Sequence, residues 1–142
     1  CGLLRRFHAL NRPDVEVGDV DFLLSLPRRP CRAMADAALV ERILENLVYN
    51  AVSFTPAGGT VTLSLERTEG WAVLSVTDTG PGISPEDAPH LFERGFTTRA
   101  AAGGQGLGLA IVRECAESMG GSAGVGPAPG GGSRFEVRLP TV

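Results

Sequence analysis

The sequence predicts an α+β fold, a two-layer sandwich in which a mixed, mostly antiparallel sheet of about five strands carries about three helices on one face. The first observation behind this is that apolar periodicity alternates along the chain between helical and strand spacing, with no internal repeat. The second is the resulting order: strand, helix, hairpin, long loop, helix, hairpin. Short turns between strands pair them antiparallel. The third is size, because 142 residues with 43% hydrophobic content suffice for one domain with its own core.

The elements follow in order. Residues 3–10 read as the tail of a helix stopped by Asn11 and Pro13, and 20–26 as a strand, after which Pro27 and Pro30 break the chain. Asp36 is placed to cap a long helix in which Leu39, Ile43, Leu47, Ala51 and Phe54 recur every four or three residues, and the run Thr55-Pro56-Ala57-Gly58-Gly59 ends it. Two strands, 60–67 and 71–78, form a hairpin about a turn near Glu69-Gly70, with Val61, Leu63 and Leu65 alternating with polar residues. Residues 79–104 are mostly irregular, with one helical turn near 84–91; so long a connection inside a compact domain is usually functional. A helix from Gly106 or Leu107 to Met119 follows. Strands near 122–125 and 133–139, joined by a hairpin loop over 126–132, close the domain.

Composition narrows the function classes. There are 13 basic residues, all arginine, against 16 acidic ones, for a formal charge of −3, and such mild acidity argues against a nucleic-acid surface. No apolar run approaches the ~18 residues of a membrane span. Cys1, Cys31 and Cys115 lie far apart without ligand spacing, so neither a disulfide framework nor a zinc site is expected, and a reducing interior fits best. The chain begins at a cysteine and shows no signal peptide, and is read as a piece of a longer protein.

Glycine occurs 19 times, about twice its usual share, and clusters near chemically suggestive residues. Asn46 and Asn50 stand four apart on one helix face beside the apolar stripe. Their carbonyls suit Mg²⁺ and their amides suit phosphate, or both are half-exposed residues bonded to water or a loop. Asp78 ends a strand and is followed by Gly80 and Gly82: its carboxylate can accept from an exocyclic amine such as adenine's, or simply bond its own turn. The run Gly103-Gly104-Gln105-Gly106-Leu107-Gly108-Leu109 enters a helix, where unpaired N–H groups and the dipole favour an anion; alone it also reads as a hinge.

Taken in order, Asn46-Leu47-Val48-Tyr49-Asn50-Ala51, Asp78-Thr79-Gly80-Pro81-Gly82, Leu91-Phe92-Glu93-Arg94-Gly95-Phe96 and Gly104-Gln105-Gly106-Leu107-Gly108-Leu109 closely resemble the N box, first glycine box, F box and second glycine box of the ATP-binding catalytic domain of sensor histidine kinases, members of the GHKL superfamily with the Bergerat fold. The resemblance runs from about Val20 to Pro140, and the closing Gly132-Ser133-Arg134-Phe135 looks like the family's last strand.

The resemblance implies that residues 1–142 form one ATP-binding domain, with 1–13 a remnant N-terminal helix and 92–105 the ATP lid, hinged at Gly95, Gly103 and Gly104. It implies that Asp78 binds the adenine amine in a pocket shaped by Gly80, Gly82 and Ile83. Asn50 would ligate Mg²⁺, Asn46 would contact phosphate, and Ser53 stands where many relatives carry a basic residue. Arg94, Thr98 and Arg99 would reach the nucleotide from the lid, and Gly104, Gly106, Leu107, Gly108 and Leu109 would meet phosphates along the second glycine box. Phe92 and Phe96 are lid packing anchors or ligand contacts.

Hydrolytic members of the superfamily place a general-base glutamate where this chain has Asn46; an amide takes no proton from water, and Glu45, about 100° round the helix, points elsewhere. Phosphoryl transfer needs mainly positioning and charge neutralisation. His8 and His90 lack the sequence context of a phosphoacceptor, so the implied acceptor is a histidine on a separate dimerisation domain. Further implied are a response regulator as next recipient, a monomeric isolated domain within a homodimeric parent, and a cytoplasmic location for this part of the parent, whether or not the parent is anchored to a membrane. The competing readings are a regulatory pseudokinase or docking module and a serine kinase of the anti-sigma-factor type.

Overall fold

A computed structural model describes residues 2–16, 19–28, 35–82, 86, 92, 108–128 and 131–141. The elements are α1 (Gly2–Glu16), β1 (Asp21–Ser25), α2 (Ala37–Phe54), β2 (Thr60–Thr68), β3 (Trp71–Asp78), α3 (Gly108–Ser118), β4 (Ser122–Pro127) and β5 (Ser133–Pro140). The strands form one five-stranded sheet in the order β1-β2-β3-β5-β4, parallel between β1 and β2 and antiparallel elsewhere. This is the α+β sandwich expected from the sequence.

Strand register sorts the side chains. Phe22 lies beside Val61, Leu63 beside Val76, and Val76 beside Phe135, so the apolar members of all these strands share one face. The buried stripes of the helices join them in one core: Leu4, Phe7 and Val15 from α1, Ile43, Leu44, Leu47 and Ala51 from α2, Val112, Cys115 and Ala116 from α3. The other face is largely hydroxyl and charged, with Ser64 bonded to Ser75 and Arg134 paired with Glu136 at 2.8 Å.

Asp36 caps α2 as expected, its Oδ1 accepting from the N–H groups of Ala38 at 2.8 Å and Leu39 at 3.3 Å. At the other end Thr55 is buried, and its hydroxyl donates to the Ala51 carbonyl at 2.7 Å.

The first helix differs from expectation, running through Asn11 and Pro13 to Glu16. Pro13 offers no N–H to the Ala9 carbonyl, a local loss that normally ends a helix. Beyond it, however, Val15 is buried in the core, and Asn11 Nδ2 donates to the Phe7 carbonyl at 2.9 Å. Tertiary burial has outweighed local preference. From this helix His8 Nε2 bonds the Phe22 carbonyl at 2.8 Å, tying α1 to β1, an outer strand of the sheet. Glu16 is held below the usual carboxylate range, first by its hydrogen bond from Arg12 and also by the backbone of Phe22.

The last hairpin is longer than expected: its ladder reaches Pro127 opposite Ser133, and the tight end is closed by Ala128 N–H to the Gly132 carbonyl at 2.9 Å. Among the described residues no helix is long and apolar enough to cross a membrane, and Cys115 carries a buried thiol in no disulfide.

Candidate functional site

Asp78 is the last residue of β3 and its side chain falls on the core side of the sheet, beside Val61. It is 1% exposed, among the most buried side chains of the molecule. A carboxylate so placed needs donors. Oδ1 has two: the N–H of Gly80 at 2.9 Å and the N–H of Ser133 at 3.3 Å. Oδ2 is equally buried and has none among the described residues. Burial pushes the carboxyl above its ordinary value, and the two N–H donors pull against that rise. The turn reading of Asp78 is realised on Oδ1, which accepts from Gly80, while Oδ2 takes no part in that turn.

Glycines shape the surroundings. Gly82 has φ +83°, which favours glycine, and a Cβ there would also stand 2.8 Å from the Gly131 carbonyl oxygen. A Cβ on Gly132 would overlap the carbonyl oxygen of Asp78 and lie 3.1 Å from Thr79 Cα. The turn between β4 and β5 therefore packs directly on the backbone that follows Asp78.

Asn50, on α2, contributes a second unpartnered polar atom: its amide Nδ2 is buried and has no acceptor among the described residues. As placed, that nitrogen matches a phosphate oxygen; turned half a revolution about the last side-chain bond, the amide offers in the same place a neutral oxygen of the kind Mg²⁺ takes. Asn46, one turn earlier, donates its amide to the Arg42 carbonyl at 2.8 Å, and the Ser53 hydroxyl donates to the Tyr49 carbonyl at 2.9 Å. Both use their side-chain donor on their own helix.

At the far end of the second glycine run, Gly108 opens α3 and Leu109 sends its side chain into the core, leaving its contribution to backbone. N–H groups of a helix's first turn have no acceptor within the helix. Phe92 is buried in the core cluster and so is a packing anchor. Ile83, His90, Arg94, Phe96, Thr98, Arg99, Gly104, Gly106, Leu107 and the lid beyond Phe92 lie outside the described residues. Sequence reasoning missed Gly132 and Ser133 as parts of this site. Their signal was the glycine run immediately before an alternating strand, which read only as a hairpin loop.

The family model for histidine kinase-, DNA gyrase B- and HSP90-like ATPases matches residues 35–142. The chain belongs to this family. Among relatives within these ATPases, the sensor-like histidine kinase SenX3 of Mycobacterium tuberculosis is 41% identical over 115 residues, which is 78% of this chain and 28% of SenX3. Full-length ShkA, solved in complex with AMPPNP, superposes with a TM-score of 0.87 at 34% identity, covering 99% of this chain and 30% of that one. The histidine kinase ThkA, solved in complex with the response regulator protein TrrA, superposes with a TM-score of 0.84 at 27% identity, covering 99% of this chain and 40% of that one. The ATPase family and the AMPPNP complex support ATP as the ligand class here. The chain spans 28% of the length of the SenX3 relatives.

Proposed function

We propose that this chain is the ATP-binding catalytic part of a sensor histidine kinase. It holds ATP with Mg²⁺ and presents the γ-phosphoryl group to a histidine on a separate dimerisation domain, from which a response regulator takes it. One observation carries the reading: Asp78 has one oxygen saturated by backbone donors and the other buried without one among the described residues. An acceptor of that kind matches the exocyclic amine of adenine, which has hydrogens to give and sits on a flat ring that Gly80 and Gly82 allow close to the backbone.

Asn50 is the residue that would hold Mg²⁺ together with the nucleotide phosphates. The ion when bound neutralises phosphate charge, which is most of what phosphoryl transfer asks of this side. The first turn of α3 would meet the phosphates through backbone N–H groups at Gly108 and Leu109, with Gly104, Gly106 and Leu107 before it and Arg94, Thr98 and Arg99 from the lid. Asn46 and Ser53 reach the nucleotide by releasing their bonds to their own helix. Glu45, the carboxylate next to Asn46, is exposed on α2, in keeping with transfer over hydrolysis. His8 is engaged with Phe22 and is no acceptor in this arrangement. The isolated domain is monomeric and cytoplasmic in this reading, and the parent a homodimer.

Calorimetric titration of the chain with ATP and ADP, with and without Mg²⁺, tests this. Binding by the wild type that is lost in Asp78→Asn supports it; a folded wild type that takes up no nucleotide overturns it.

A further inference from the structure

The donor that Ser133 gives to Asp78 depends on how closely β5 approaches the end of β3, and Gly132 sits at that approach. The last β3 to β5 pair is Thr77 with Arg134, so Ser133 stands opposite Asp78 one step beyond the ladder. The bond there is 3.3 Å long, just past the usual range for N–H to oxygen, and a shift of a few tenths of an ångström removes it. What a Cβ on Gly132 would meet is backbone only: the Asp78 carbonyl and Thr79 Cα. Backbone cannot rotate aside as a side chain can, so any larger residue must push the two strand ends apart.

We propose that Gly132 is a positioning residue for nucleotide binding: by permitting this contact it keeps the Ser133 N–H on Oδ1 of Asp78, and so keeps Oδ2 an ionised acceptor. This rests on the nucleotide reading of the site. Without that donor the charged carboxylate loses one of its two hydrogen bonds while its burial stays the same, and its affinity for a proton rises. The proton goes to Oδ2, since Oδ1 still accepts from Gly80, and an O–H there turns a donor toward the donor amine of adenine. Among the described residues no charged side chain on the packed elements compensates. Glu41, Arg42 and Glu45 of α2 are exposed, Arg134 and Glu136 lie on the opposite face of β5, and the core-side neighbours are Val61, Val76, Ser133 and Phe135.

The test is ATP affinity measured by calorimetry across a pH series for the wild type, Gly132→Ala, Ser133→Pro and Gly124→Ala. Ser133→Pro removes the N–H, together with the serine hydroxyl, at the first position of a strand, where proline is tolerated, and stands in if Gly132→Ala does not fold. Gly124 has open space where its Cβ would go and serves as control. Both test variants are expected to show the acid limb of binding displaced upward by about one pH unit, so that on that limb they bind up to about tenfold more weakly than the wild type. Gly124→Ala should match the wild type. A folded Gly132→Ala or Ser133→Pro whose acid limb stays at the wild-type position overturns the proposal, whatever its melting temperature. Failure of the wild type to bind ATP would instead defeat the nucleotide reading itself.

Discussion

Ser133 donates its backbone N–H to Oδ1 of Asp78 although 55 residues separate them. With Gly80 it occupies one oxygen completely and leaves the other, buried beside it, without a donor among the described residues. The carboxylate is thereby fixed in rotation by the protein's own backbone.

Asp78→Asn should separate stability from binding. Burial raises the native proton affinity of Asp78 above that of the unfolded chain. The native state therefore holds more protons between the ordinary aspartate value and the raised one, and this group's contribution to stability falls as pH rises through that window. Thermal unfolding of the ligand-free protein between about pH 4 and pH 8 should show this component in the wild type and not in the variant. At neutral pH the variant should melt no lower than the wild type, yet gain nothing from ATP.

The base should be read at the same oxygen. A nucleoside triphosphate with a carbonyl where adenine carries its amine sets acceptor against acceptor at Oδ2. Sites built to bond a particular polar group reject its absence strongly, so competition titration should rank ATP above GTP and ITP by about a hundredfold or more. Equal affinities would remove Asp78 from the base pocket.

Asn50→Ala deletes an amide that has no partner to lose among the described residues. Its melting temperature should stay within a degree or two of the wild type, since no satisfied hydrogen bond is broken. Affinity for Mg²⁺-ATP is expected to fall about tenfold while binding of adenosine is unchanged. Phosphoryl transfer to a supplied histidine domain should fall further than binding does.

The α2 cap offers a purely structural comparison. Replacing Asp36 by alanine strips the acceptor from the N–H groups of Ala38 and Leu39 and should destabilise the domain by about 1 kcal/mol, or a few degrees in melting temperature. ATP affinity measured well below that transition should not change. A shift in affinity would mean that the start of α2 communicates with Asn50.

Much of the fold was legible because its elements obey local rules. The α2 stripe repeats at helical spacing behind a good cap, and β2 alternates cleanly, so both boundaries were nearly right. The course of α1 was not legible, because Val15 is buried by residues distant in sequence and no local signal announces that Pro13 will be tolerated. Half of the site had the same character. Asp78, Asn50 and the glycines beside them lie in short ordered motifs, whereas the donor from Ser133 exists only because β5 pairs with β3. Gly132 looked like loop chemistry; its demand for small size comes from the carbonyl of Asp78, more than fifty residues earlier.

The position of β5 also bears on how the domain comes into being on the ribosome. Of the elements described it is the last to be synthesised, yet it lies inside the sheet, between β3 and β4. A nascent chain that has emerged only as far as β4 has no partner for the inner edge of β3, and Asp78 lacks its second donor. The pocket cannot assemble stepwise from the N-terminal side; it is completed when residues near Ser133 to Pro140 clear the exit tunnel. Uptake of ATP would then mark the moment at which the sheet has closed, making the ligand a sensor of its own receptor's completion.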